Sequence, residues 1–341
     1  MSHLRTQPTQ SIPTLVDRFG RVHDNLRLSV TDRCNLRCTY CMPETANDFQ
    51  DSDSLLSFDY IERIVRVLTT AGVSKIRFTG GEPTLRAGLT ELISRIAGIP
   101  EISDLAITTN ALRMVQLAQP LRDAGLRRVN ISLDALTNES FQRMARRDGL
   151  ARTLEGIAAT LDAGFEQVRL NTLAIRGLNE DQILPLIEFA RSHNLTIRFI
   201  EYMPLGGERN WSEMQVITGQ QIRDMVETTF GKLRPIGRPH PSQPSSDYAF
   251  ADGRGGIGLI NPVSEPFCGA CNRLRLTAGG ALRNCLFSHR EWDIKALLDS
   301  EASDAELLTL IRHCIAEKEP GHLISQPTFR QPDRPMYQIG G

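Results

Sequence analysis

The chain has 341 residues, 40% hydrophobic and 23% charged, with a formal net charge of −1. That is the composition of a globular protein with room for one large α/β domain and an appendage. The near-neutral balance gives no global electrostatic pull toward nucleic acid or an anionic membrane, and no run of 18 or so apolar residues is present to span a bilayer.

Residues 1–16 are polar and contain proline, without the apolar stretch of a signal peptide. They read as a flexible lead-in, and the expected location is the cytoplasm. From residue 26 to 203, short β-branched runs alternate with amphipathic helical stretches. Strands are expected at 26–31, 75–79, 105–109, 128–134, 168–175 and 196–203. Helices fall between them, one at 58–71 behind a Ser57 cap with Ile61, Ile64, Val65 and Leu68 on one face, another at 183–193 behind Asn179. Six such repeats predict parallel βα units curved into a partial TIM-like (βα)6 barrel. The strand ends turn polar, at Thr79-Gly80-Gly81-Glu82, Thr108-Thr109-Asn110, Ser132, Asp134 and Glu201, on the rim where barrel enzymes carry their chemistry. A helix at 219–230 follows. The Pro-, Ser- and Gly-rich segment 235–246 marks a boundary, which divides the chain into a lead-in (1–16), a barrel (17–234) and a C-terminal region (235–341) with a helix at 304–317.

Thiols stay reduced in the cytoplasm, so the seven cysteines need a reading other than disulfides. Six fall in two triads: Cys34, Cys38 and Cys41, then Cys268, Cys271 and Cys285. Clustered triads point to metal. The first is CxxxCxxC in the loop after the first strand. Three thiolates can hold three corners of a 4Fe–4S cubane and leave the fourth iron open to an amino acid's amine and carboxylate. Zinc, which favours a closed four-ligand shell, is the alternative. After the second strand, Gly80-Gly81-Glu82-Pro83 lets backbone approach a ligand closely. With this motif and loop the chain resembles the radical S-adenosylmethionine (SAM) superfamily over residues 18–230 or so. The resemblance implies that the first triad binds a 4Fe–4S cluster, that the GGEP loop holds the SAM amine, and that SAM is cleaved to a 5′-deoxyadenosyl radical.

The second triad reads CxxC-x13-C. A zinc ribbon short of one ligand is one reading; a second cluster with an iron open to a substrate heteroatom is the favoured one. Cys314 lies in an apolar helical pattern and reads as a buried small hydrophobe. Arg273 and Arg275 alternate on one strand face, as a neutralising basic surface or as a clamp for phosphate.

The segments Leu26-Arg-Leu-Ser-Val-Thr-Asp-Arg-Cys34, Ile76-Arg-Phe-Thr-Gly-Gly-Glu-Pro83, Arg128-Val-Asn-Ile-Ser-Leu-Asp134 and Ile197-Arg-Phe-Ile-Glu-Tyr-Met203, with the C-terminal triad and the terminal Gly-Gly, narrow the match. Together they resemble the GTP 3′,8-cyclase family. The resemblance implies cyclisation of GTP to (8S)-3′,8-cyclo-7,8-dihydroguanosine 5′-triphosphate, the first step of molybdopterin cofactor biosynthesis, with two 4Fe–4S clusters and SAM as cofactors. It places Tyr40, Gly81, Ser132 and Met203 on SAM, and Arg27, Arg77, Thr108, Arg169, Arg273 and Arg275 on GTP. The family's usual residue at position 169 is lysine. Arg334, Met336, Gly340 and Gly341 match a tail that reaches the active site; without the resemblance such an ending reads as disorder. Implied partners are a downstream cyclic pyranopterin monophosphate synthase and a flavodoxin- or ferredoxin-like electron donor, and a homodimer is compatible with the family. No residue is assigned a catalytic role beyond substrate positioning by Arg27, Arg273 and Arg275. A radical SAM peptide maturase with an auxiliary cluster is the rival, although it predicts more C-terminal cysteines than the three plus Cys314 present.

Overall fold

The computed structural model describes residues 14–46, 48–205, 211–324 and 326–340; the lead-in up to residue 13 and Gly341 lie outside them. Six βα repeats open the fold. The strands are β1 (Asn25–Ser29), β2 (Lys75–Thr79), β3 (Asp104–Thr109), β4 (Arg128–Ser132), β5 (Gln167–Ala174) and β6 (Thr196–Glu201). Around them lie α1 (Phe58–Thr69), α2 (Leu89–Ala97), α3 (Met114–Asp123), α4 (Asn138–Ala145), α5 (Leu150–Asp162), α6 (Ile183–Ser192) and α7 (Gly219–Phe230). The C-terminal region adds β7 (Arg234–Gly237), β8 (Ser246–Ala249), β9 (Gly256–Ile260), β10 (Arg273–Leu276), β11 (Ala281–Arg283), β12 (Trp292–Asp293), α8 (Ile294–Asp299), α9 (Asp304–Ala316) and α10 (Met336–Ile339).

All twelve strands form one open sheet, ordered β12-β11-β10-β1-β2-β3-β4-β5-β6-β9-β8-β7. The run from β10 through β1–β6 to β9 is parallel throughout, and antiparallel hairpins finish both edges. The C-terminal region therefore widens the six-stranded core on both sides, through β10 beside β1 and β9 beside β6.

Period-two alternation explains how this sheet makes a site. In β1, Leu26 and Leu28 point outward and are fully buried against the helices, as are Ile76 and Phe78 of β2 and Ile197 and Phe199 of β6. The intervening residues Asn25, Arg27, Lys75, Arg77, Asn130, Asn171 and Arg198 line the lumen. The lumen is thus polar, where an ordinary TIM barrel is packed with branched apolar side chains. The helices supply the other half of the core. In α1 the Ser57 hydroxyl caps Tyr60 N, and Ile61, Ile64, Val65 and Leu68 are buried; α7 and α9 begin with full capping boxes, Thr218/Gln221 and Ser303/Glu306.

Several boundaries differ from expectation. β4 and β6 stop at Ser132 and Glu201, because Asp134 and the residues after Glu201 turn away to shape the rim. Asn179 does not cap α6: Gln182 holds the cap position, and the Asn179 side chain instead donates to Asp134 O and Leu173 O and accepts from Ile175 N. The segment 235–246 is the β7–β8 hairpin and its loop. Leu15 is buried and Val16 bridges Val22, so the last residues of the expected lead-in pack onto the barrel.

Candidate active site

One cavity of about 470 Å³ runs through the barrel. It takes in both cysteine triads, and every residue expected on SAM or GTP lines it: Tyr40, Gly81, Ser132 and Met203, and Arg27, Arg77, Thr108, Arg169, Arg273 and Arg275. Met336 of the tail lines it too. Gly340 lies at its edge, its carbonyl accepting from Arg275 Nη1. Arg334 lies outside and pairs with Glu291 at 3.4 Å. Cys314 is fully buried in the hydrophobic core.

The first triad occupies the loop after β1. Burial pushes the Cys34 thiol up to about 11, with Glu82 adding to the rise, and burial also raises Cys38 and Cys41. Buried thiolates there need a positive partner of their own, which iron would be. The GGEP loop is built tightly against this loop: Gly81 N donates to Thr31 O at 2.7 Å and Glu82 N to Arg33 O at 2.8 Å. A Cβ on Gly81 would overlap the carbonyl oxygens of Asp32 and Arg33. Glu82 lines the cavity with its carboxylate already well hydrogen-bonded. Its carboxylate accepts from Thr84 N (3.1 Å), Thr84 Oγ1 (2.6 Å), Thr109 Oγ1 (2.7 Å) and Asn110 N (2.8 Å), locking the β2 loop to the end of β3. From within the first triad's loop, Tyr40 donates to Asp134 Oδ2 at 2.8 Å; burial pushes that carboxyl up to about 6.

The second triad is electrostatically different. Burial pushes Cys271 up, but Arg273 and Lys318 outweigh it and bring the thiol down to about 5. Arg273 Nε donates to Cys271 Sγ at 3.3 Å and Lys318 Nζ at 3.5 Å. Among the described residues no group of three or more His, Cys, Asp or Glu is arranged around a single metal ion; both triads line the cavity wall. Burial raises Cys268 as it does the first triad, so three thiols on each side, with Cys271 alone already supplied with cations, fit two clusters.

Between the triads lies a cationic arc. Eight arginines and two lysines line the cavity against three acidic residues, and all three, Glu82, Asp134 and Glu319, already hold hydrogen-bond partners. Arg128 pairs with Asp104, and Arg198 with Asp247 at 3.1 Å. Arg27 Nε, Arg77 Nη1 and Arg169 Nε are buried without a partner, as is Asn171 Oδ1. Burial, and then repulsion from neighbouring arginines, pushes Arg27 well down, Arg77 to about 9 and Arg169 to about 10. A guanidinium keeps its proton in proteins, so this crowding is a standing electrostatic strain that a polyanion relieves. Arg128, Asn130, Asn171 and Arg198 were missed from sequence, though they hold the same inward positions on β4–β6 as Arg27 and Arg77 do on β1 and β2. Lys318 carried no local signal.

Two family models match the chain: "Radical SAM superfamily" over residues 28–190 and "Molybdenum Cofactor Synthesis C" over residues 195–324. The GTP 3′,8-cyclase of Rhodopirellula baltica is 46% identical across 96% of this chain and 92% of its own length, and that of Streptomyces coelicolor 40% identical across 99% of both. The chain belongs to the GTP 3′,8-cyclase family. It is a radical SAM lyase of molybdenum cofactor biosynthesis, with 4Fe–4S clusters and SAM as its cofactors. Among solved structures, Streptococcus suis SuiB bound to S-adenosylmethionine aligns with TM-score 0.60 at 16% identity, over 86% of this enzyme and 69% of that chain. Native anSMEcpe with bound AdoMet aligns at 0.56 and 14%, over 83% and 81%. At such identities the likeness is one of fold alone, so the peptide-maturase rival gains nothing from it. No helix among the described residues is long and apolar enough to cross a membrane.

Proposed function

We propose that GTP lies across the barrel between the two triads, with Arg27, Arg77 and Arg169 on its triphosphate, Thr108 beside them, and Arg273 and Arg275 holding its nucleoside end beside Cys268, Cys271 and Cys285. SAM sits at the other triad, on Tyr40, Gly81, Ser132 and Met203. The carrying observation is the arc of arginines between the two sets of thiols, in which Arg27, Arg77 and Arg169 each hold a buried nitrogen without a partner. When bound, the first cluster and SAM supply a 5′-deoxyadenosyl radical for the ribose C3′ hydrogen. The electron and proton that complete the 7,8-dihydro product come from outside the substrate, and the chain's own residues position GTP. The arginines neutralise the triphosphate and fix the nucleoside so that C3′ can close on C8 of the same molecule. The apolar flank of Leu36, Phe141 and Leu173 keeps water away from the reacting centre, and tight positioning of the ribose keeps the radical from the C–H bonds of that flank.

On this reading residues 17–234 act as the radical-generating barrel and 235–341 as the auxiliary-cluster region. The enzyme is cytoplasmic, takes electrons from a flavodoxin- or ferredoxin-like donor and hands its product to a cyclic pyranopterin monophosphate synthase; a homodimer is compatible with it. Anaerobic reconstitution tests the assignment. About eight irons per chain, two cubanes, and 5′-deoxyadenosine formed only with GTP present are expected. Arg273→Ala and Arg275→Ala should keep the iron and lose product. Turnover unchanged by both substitutions would sink the GTP placement.

A further inference from the structure

Lys318 follows α9 and is 2% exposed. Its ammonium donates to the carbonyl of Arg273 at 2.9 Å and to Cys271 Sγ at 3.5 Å, and among the described residues no carboxylate forms an ion pair with it. Burying an ammonium without an anion is costly, so the Cys271 sulfur is the anionic partner the fold provides. Arg273 Nε approaches the same sulfur at 3.3 Å. One thiol of the second triad thus receives two cationic N–H donors. In the first triad, Cys34 accepts from a neutral backbone N–H, that of Leu36, at 3.4 Å. Hydrogen bonds and charge at the sulfurs set the potential of an iron–sulfur cluster, and a nearby positive charge favours its reduced, more negative form.

We propose that Lys318 is a positioning residue for the second cluster: its ammonium, held on the Arg273 carbonyl, withdraws charge from the Cys271 sulfur and raises that cluster's reduction potential. It also divides the work of Arg273, whose Nε is engaged by sulfur while its outer nitrogens are left for substrate. This rests on the assignment of a cluster to Cys268, Cys271 and Cys285. The test uses the full chain carrying Cys34→Ala, Cys38→Ala and Cys41→Ala, so that only the second cluster is titrated, by EPR against potential, with and without Lys318→Met, Lys318→Gln and Lys318→Arg. A shift of the midpoint to more negative potential in the Met and Gln variants, restored in the Arg variant, is expected at unchanged iron content. An unmoved midpoint and EPR signal at full iron in Lys318→Met and Lys318→Gln overturn the proposal. If the Met and Gln variants lose the cluster, retention in Lys318→Arg supports the role of the charge, and loss there too overturns it. Absence of iron from the triple-Ala parent would instead sink the assignment of the second cluster itself.

Discussion

Gly81 leaves no room for a side chain. A Cβ there meets two backbone carbonyl oxygens of the cluster loop, neither of which can move without displacing Cys34. Gly81→Ala is expected to push the GGEP loop off the first triad and weaken SAM binding at least tenfold in equilibrium dialysis, while the second triad keeps its iron. On the proposed GTP placement, charge decides the outcome at position 169 and fork geometry is secondary, because the Arg169 Nε is buried without a partner and a lysine ammonium binds phosphate as a point charge. Arg169→Lys should therefore leave the KM for GTP within a few-fold. Arg169→Ala would remove the proposed charged hydrogen bond to phosphate, about 1.5–3 kcal/mol, and should raise that KM by roughly 10–100-fold, as steady-state assays of 5′-deoxyadenosine formation would show.

At the scale of elements, the short strap closed by the Val16–Val22 bridge fastens the N-terminal segment to the second triad. Arg21 pairs with Asp17 at 2.6 Å and donates to the carbonyls of Cys268 (2.9 Å), Glu319 (2.8 Å) and Pro320 (3.2 Å). Removing the side chain takes a charged partner from Asp17, which keeps the backbone N–H groups of Phe19 and residue 21 and the His23 ring, so Arg21→Ala should cost about 1.5–3 kcal/mol by denaturant unfolding. His23 adds a pH dependence. Burial, and then the charge of Lys318, lower it from 6.5 to about 4, against the pull of Asp17. Because the folded value lies below the unfolded one, its contribution is complete above about pH 6.5 and is lost as pH falls toward 4, at up to about 1.4 kcal/mol per pH unit. His23→Gln should flatten that limb of the stability curve. The strap could not be read from sequence: its partners lie about 250–300 positions away and are backbone carbonyls, which no side-chain pattern marks, and Leu15 and Val16 are too short an apolar pair to signal packing.

Across the whole molecule, the uncompensated arc predicts that inorganic tripolyphosphate alone raises the melting temperature of the apoprotein, and that added salt erodes the effect. Differential scanning fluorimetry at two ionic strengths checks it; an unshifted melting temperature would count against the arc as a phosphate site. The six central strands were legible because apolar outward positions alternate with polar inward ones, and the triads because cysteine spacing is local. The eight-stranded parallel run was not legible. β9 and β10 are short, separated by a cysteine loop, and join the sheet at opposite flanks, which no local period encodes. The hydrogen bonds of Glu82 to Thr109 and Asn110 were likewise hidden, since they join the β2 loop to the end of β3 across some 27 positions.

The pairing of Asn25 with Arg273 also has a consequence for the nascent chain. β1 leaves the ribosome about 250 residues ahead of its neighbour β10, which at 5–20 residues per second is roughly 12–50 s of synthesis. Throughout that interval one edge of β1 offers unpaired amides and carbonyls to any passing strand. Arrested or truncated translation products that stop short of residue 273 should therefore be the aggregating species in the cell, and holding that edge until β10 emerges is a natural task for a chaperone.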